Sequence, residues 1–166
     1  MTHRAAVVMT LAVAVTFWIL ALLDPQLFFV HVYESLIYLA IAVLLVKFKD
    51  RWASMLGFLG PAAWLVVILL PAAWAAASFN VGTAFAILRS PLLTMGLQRP
   101  SFAAIVAEGI TLVLSSLMIV FSLNRWKSQR MPRLQAHKIF VTCLMAVAVY
   151  YGVLILWLLA WKPASV

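Results

Sequence analysis

The chain has 166 residues, of which 67% are hydrophobic and 10% are charged, and its mean hydropathy is +1.12. A water-soluble domain carries about 25% charged residues, so this composition excludes one and indicates a protein that lies in a lipid bilayer. The formal net charge of +8 does not indicate nucleic-acid binding, because the basic residues lie mainly at the ends of apolar runs, where they contact lipid head groups and set orientation.

Five apolar runs are each long enough to cross the hydrocarbon, which takes about 20 helical residues. They predict a single all-α integral membrane domain, a five-helix bundle, with spans at about 5–23, 27–46, 53–78, 101–124 and 139–161. Asp24 and Pro25 predict a tight turn between the first two spans, because proline disfavours helix in the residue before it.

Two connections between the spans differ in kind. Residues 125–138 are rich in Lys and Arg and predict a solvated basic loop. The apolar residues of 81–97 recur at steps of three and four, with polar residues on the other side. This spacing predicts a short amphipathic segment that lies in the membrane interface.

The orientation follows from the positions of Lys and Arg. Nine of the twelve lie at the N-terminus, between spans two and three, or between spans four and five, and three lie at the other ends. Cytoplasmic loops carry the excess of basic residues, so the sequence predicts a cytoplasmic N-terminus and a C-terminus on the far side. The expected membrane is a bacterial inner membrane or its organelle equivalent.

Two carboxylates fall inside predicted spans, where an ionisable group is costly and is a candidate for function. Glu34 and Glu108 each lie about seven residues, or about 10 Å, from the outer end of a helix. Each also belongs to a polar helix face, since side chains three, four and seven residues apart share one side. The residues on these faces are His31, Glu34, Ser35 and Tyr38 in span two, and Glu108, Thr111 and Ser115 in span four.

These polar faces allow several interpretations. They can bind the helices together by hydrogen bonds, with a neutral glutamate as donor. Alternatively, Glu34 and Glu108 face each other and share a proton or a small cation. His31, Glu34 and Glu108 are weaker candidates for a metal site, and His31 alone is a candidate ligand for a haem or a pigment.

The sequence contains no nucleophile–base pair, zinc spacing or phosphate-binding loop, which favours a protein that is not an enzyme and that requires no cofactor. We expect a non-catalytic subunit or assembly factor of a larger membrane complex, for example a respiratory or photosynthetic one, or else a homo-oligomer. The alternative is a channel or transporter for protons or small cations that uses Glu34 and Glu108. The apolar stretch of span two below Tyr38 favours the subunit.

Overall fold

The computed structural model describes residues 3–47, 49–78 and 101–160. This part of the chain is helical, with no strand, and it confirms the predicted all-α bundle. The five long helices are α1 (His3–Leu23), α2 (Phe28–Val46), α3 (Asp50–Ser78), α4 (Phe102–Ser128) and α5 (Arg133–Ala160). The predicted interfacial segment 81–97 lies outside the described residues.

Among the described helices, α1, α2, α4 and α5 are each long and apolar enough to cross a membrane, so the protein is an integral membrane protein. The remaining helix, α3, has 29 residues. At 1.5 Å per residue it is about 43 Å long, longer than the hydrocarbon thickness of about 30 Å. Its own crossing of the membrane remains a prediction.

The first four helices form a ring in which α1 packs against α2 and α4, and α3 packs against the same two helices. The fifth helix, α5, packs on the outside of α3. It contacts the rest of the protein along one stripe of buried residues, namely Ile139, Cys143, Val147, Tyr151 and Leu154. Most of the remaining described surface of α5 is exposed and apolar, as expected for a helix in contact with lipid or with another protein.

The turn predicted at Asp24 and Pro25 is present as a short 3₁₀ helix, Pro25–Leu27. Pro25 occupies its first position, where a missing N–H group costs nothing. The amide of Leu27 donates to the carbonyl of Asp24. This compact turn makes α1 and α2 an antiparallel pair.

The prediction of a long basic loop over 125–138 was wrong in extent. The α4 helix continues to Ser128 and α5 begins at Arg133, so the connection is only 129–132. Arg125 and Lys127 lie in the last turn of α4, where basic side chains stabilise a helix C-terminus. Pro132 comes just before α5, and its carbonyl accepts from Ala136. Apolarity marks where a helix lies in lipid, but helices extend beyond it.

The ends that the charge pattern assigned to the cytoplasm lie together. His3 at the start of α1, Asp50 at the start of α3 and Arg125 near the end of α4 form one ion-pair cluster. Arg51 of α3 donates to Gln135 of α5 over 3.1 Å. We call this the inner end of the bundle and the opposite one the outer end. The direction of the bundle in the membrane remains a prediction.

Candidate functional site

The predicted polar residues of α2 lie at the outer end and turn into the bundle. Glu34 is 8% exposed, and both of its carboxyl oxygens have nitrogen partners. The indole Nε1 of Trp64 donates to Oε1 over 2.9 Å, and Nδ1 of His31 lies 3.1 Å from Oε2. The sequence pattern did not identify Trp64 as a partner of Glu34. Its position near the middle of a span was a usable signal, because tryptophan favours the membrane interfaces.

The structure places Glu108 differently from Glu34. Glu108 is exposed and lies at the edge of the buried stripe of α4. Within the part of the chain that the structure describes, it makes no hydrogen bond or ion pair. It is nevertheless close enough to Asp24, His31 and Glu34 for their charges to act on it. The carboxyl groups therefore share a neighbourhood, while Glu34 is already satisfied by Trp64 and His31.

Three of the four carboxylates of the chain are thus gathered with His31 at the outer end. We call Asp24, His31, Glu34, Trp64 and Glu108 the outer cluster. No group of three potential metal ligands is found in the described residues. The Nδ1 atom of His31 is turned to Glu34, so Nε2 is the ring nitrogen that remains for a haem or pigment ligand.

Below the outer cluster, Tyr38 closes the middle of the bundle. Its hydroxyl lies 3.2 Å from Oγ of Ser115, and neither residue is exposed. The ring of Phe17 packs against Tyr38 at 5.4 Å and edge-on against Trp64 at 5.3 Å, measured between ring centroids. We call Phe17, Tyr38 and Ser115 the central seal, because all three residues are fully buried.

The other predicted site residues are also paired within the chain. Ser35 accepts a hydrogen bond from Trp18 over 2.9 Å and donates to the carbonyl of Val32. Thr111 donates to the carbonyl of Ala107, within its own helix. Ser35 and Thr111 are both buried, and burial of a hydroxyl without a hydrogen bond costs free energy. The Trp18–Ser35 bond joins α1 to α2, as expected for polar contacts that stabilise a membrane bundle. The bonds of Ser35 to Val32 and of Thr111 to Ala107 stay within one helix.

A pair of tyrosines that the sequence pattern did not single out joins α5 to α2. The Tyr33 hydroxyl donates to the carbonyl of Tyr150 over 3.0 Å, and the Tyr150 hydroxyl donates to the carbonyl of Tyr33. The two rings stack with a centroid distance of 4.5 Å. Both hydroxyls thus attach to backbone acceptors, a contact that residue periodicity cannot reveal.

No protein-family model, no curated protein and no solved structure matches this chain.

Proposed function

We propose that this protein is a non-catalytic subunit of a membrane assembly, made with other membrane proteins or with copies of itself. The central seal supports this proposal most directly. Tyr38 and Ser115 bond to each other without accessible surface, and the neighbouring Ser35, Thr111 and Glu34 have partners inside the chain. These polar residues therefore already have partners within the chain, and the Tyr38–Ser115 and Trp64–Glu34 contacts join different helices.

The outward sides of α4 and α5 are the exposed surfaces that best suit a partner, because each contains a glycine with open space beside it. A Cβ atom added to Gly109 of α4 or to Gly152 of α5 would meet nothing within 4 Å. Exposed apolar residues surround these glycines, for example Val113 and Val153. Small residues on membrane helices let a second helix approach closely, so these two positions suit a helix of another subunit.

Disulfide crosslinking tests this proposal in native membranes. In a Cys143→Ala background, Gly109→Cys and Gly152→Cys should form crosslinks, to a copy of the chain or to another membrane protein. Leu22→Cys is the control, because Leu22 is 74% exposed but lies on α1, away from both glycines. Equal crosslinking at all three positions, or crosslinking at Leu22 alone, would contradict the proposal.

The second candidate function is transport of protons or small cations, and the outer cluster favours it. Asp24 and Glu34 lie close enough to act electrostatically on Glu108 at the outer end, where three carboxylates would attract cations. The central seal would then be a closed gate. Proton flux into liposomes, driven by a pH gradient and abolished by Glu34→Gln, would support this function over the subunit.

A further inference from the structure

The inner half of the bundle contains a cavity beside the ion pair of Arg125 and Asp50. Its volume is about 410 Å³, within the range of about 300–1,000 Å³ that is usual for small-molecule sites. It is lined by α1, α2, α3 and α4 and extends along α4 from Met118 to Ser128. At 1.5 Å per residue, this is a length of about 15 Å, so the cavity is elongated along the helices.

The lining changes from apolar to polar toward the inner end. Ile41 and Met118 line the deep part, and Ser54, Asn124 and Arg125 line the mouth. Phe121 also lines the cavity and is 42% exposed. The cavity therefore borders the apolar surface of the bundle. A lipid acyl chain can enter it sideways from the bilayer.

The mouth contains a cationic donor without a hydrogen bond. The Nη1 atom of Arg125 is buried and has no hydrogen-bond partner in the described part of the chain, whereas Nη2 lies 3.0 Å from Oδ1 of Asp50. A guanidinium has five N–H groups in a fixed fork and binds carboxylate and phosphate oxygens well. The Arg125 side chain as a whole is 22% exposed, so an anionic oxygen at the mouth can reach the accessible N–H groups of its guanidinium.

The charge around the mouth also favours an anion. Asp50 balances only one positive charge there. Lys49 and Arg51 line a second cavity of about 350 Å³ that also contacts Asp50, and Lys127 follows Arg125 in the same turn. The basic groups outnumber the acidic one, so the net charge around the mouth is positive.

We infer that this cavity binds an anionic membrane lipid, with its phosphate at Arg125 and the first part of an acyl chain between Met118 and Ile41. The apolar depth excludes a free anion as the best ligand, and the cationic mouth disfavours a zwitterionic lipid. The inference does not depend on the proposed function, because the cavity lies at the opposite end from the outer cluster and neither Gly109 nor Gly152 lines it.

Native mass spectrometry of the full chain in detergent, with added lipid, tests this inference. Phosphatidylglycerol should bind more tightly than phosphatidylcholine, and inorganic phosphate should not displace it at millimolar concentration. Arg125→Gln should weaken phosphatidylglycerol binding about tenfold or more, as expected for a lost charged hydrogen bond. Arg130→Gln is the matched control, because Arg130 is exposed at the same end and does not line the cavity.

A second variant keeps the test decisive if Arg125→Gln does not fold. Ala6→Phe fills the cavity from α1 without a change of charge, and it should also weaken phosphatidylglycerol binding. Unchanged binding by the folded variants, or equal binding of phosphatidylcholine, would overturn the inference. Displacement by inorganic phosphate alone would show a simple anion site and would overturn the assignment of a lipid.

Discussion

At the scale of single residues, the structure shows that local hydrogen-bond partners are sufficient to explain a carboxyl group buried inside a membrane bundle. Glu34 accepts from Trp64 and lies beside His31, so its depth requires no second carboxylate. The sequence could predict that Glu34 turns inward, because an ionisable side chain is costly in lipid. It could not identify Trp64 as the partner, because that contact depends on how α2 and α3 face each other.

The Trp64 contact gives the prediction at this scale. Trp64→Phe keeps an aromatic ring but removes the donor to Glu34, leaving a buried oxygen with no indole partner. The free energy of unfolding in detergent should fall by about 1–2 kcal/mol. Trp126→Phe is the control, because the Trp126 indole is partly buried and makes no hydrogen bond to any described residue. Equal losses of stability in the two variants, measured by thermal unfolding, would count against the Trp64–Glu34 bond.

At the scale of helices, α3 approaches both of its neighbours in the ring closely, at two glycines. Gly57 faces α4 and Gly60 faces α2, and a Cβ atom added to Gly57 would lie 2.5 Å from Oγ of Ser122. The spacing of the two glycines suggested close packing in the sequence. The spacing did not reveal that Gly57 and Gly60 contact two different helices, because that depends on the order of the helices around the ring.

Gly57→Ala should therefore push α3 and α4 apart and lower the free energy of unfolding by about 1–3 kcal/mol. Gly109→Ala is the matched control on α4, where the added methyl group meets open space, and it should be neutral or slightly stabilising. Ser122→Ala removes the clashing oxygen, so the double variant with Gly57→Ala should recover much of the loss. Thermal unfolding measures all four proteins, and failure of this rescue would argue against the close approach.

The bonds between Tyr33 and Tyr150 predict how strongly α5 is attached to α2. Tyr33→Phe together with Tyr150→Phe removes both hydroxyl bonds but keeps the stacked rings. At about 0.6 kcal/mol for each interhelical bond, detachment of α5 should become about five- to tenfold more frequent. Cys143 reports this opening, because its thiol is 2% exposed in the stripe of α5 that contacts the bundle. Labelling with a membrane-permeable maleimide should accelerate accordingly, whereas the exposed Ser116→Ala variant should label at the wild-type rate.

At the scale of the whole molecule, apolarity and the charge pattern were sufficient to predict a helical membrane bundle whose basic connections share one end. The inner cluster of His3, Asp50 and Arg125 agrees with that arrangement. The order of the helices, the position of α5 outside α3 and the inner cavity were not predictable, because they depend on the contacts between distant helices. The boundary error at 129–132 has a different origin, since α4 and α5 continue past the apolar runs into the basic residues.

The orientation gives a prediction at this scale. A reporter enzyme that is active only outside the cytoplasm should work when it is fused after Lys162 and should fail when it is fused within 129–132. The basic residues at the inner end should hold that end in the cytoplasm. A cytoplasmic reporter at the same two sites should give the opposite pattern. If the reporter that is active only outside the cytoplasm works at 129–132, the predicted orientation of the bundle is wrong.

The proposed function requires this protein to pack against other membrane subunits. Native mass spectrometry of the full chain, extracted gently from its own membrane, measures this packing. We expect species heavier than the 18.4 kDa chain, made of several copies or of this chain with other membrane proteins, which Gly109→Trp on the outward side of α4 should dissociate. The detection of monomers alone, across the mildest detergents that keep the bundle folded, would contradict it.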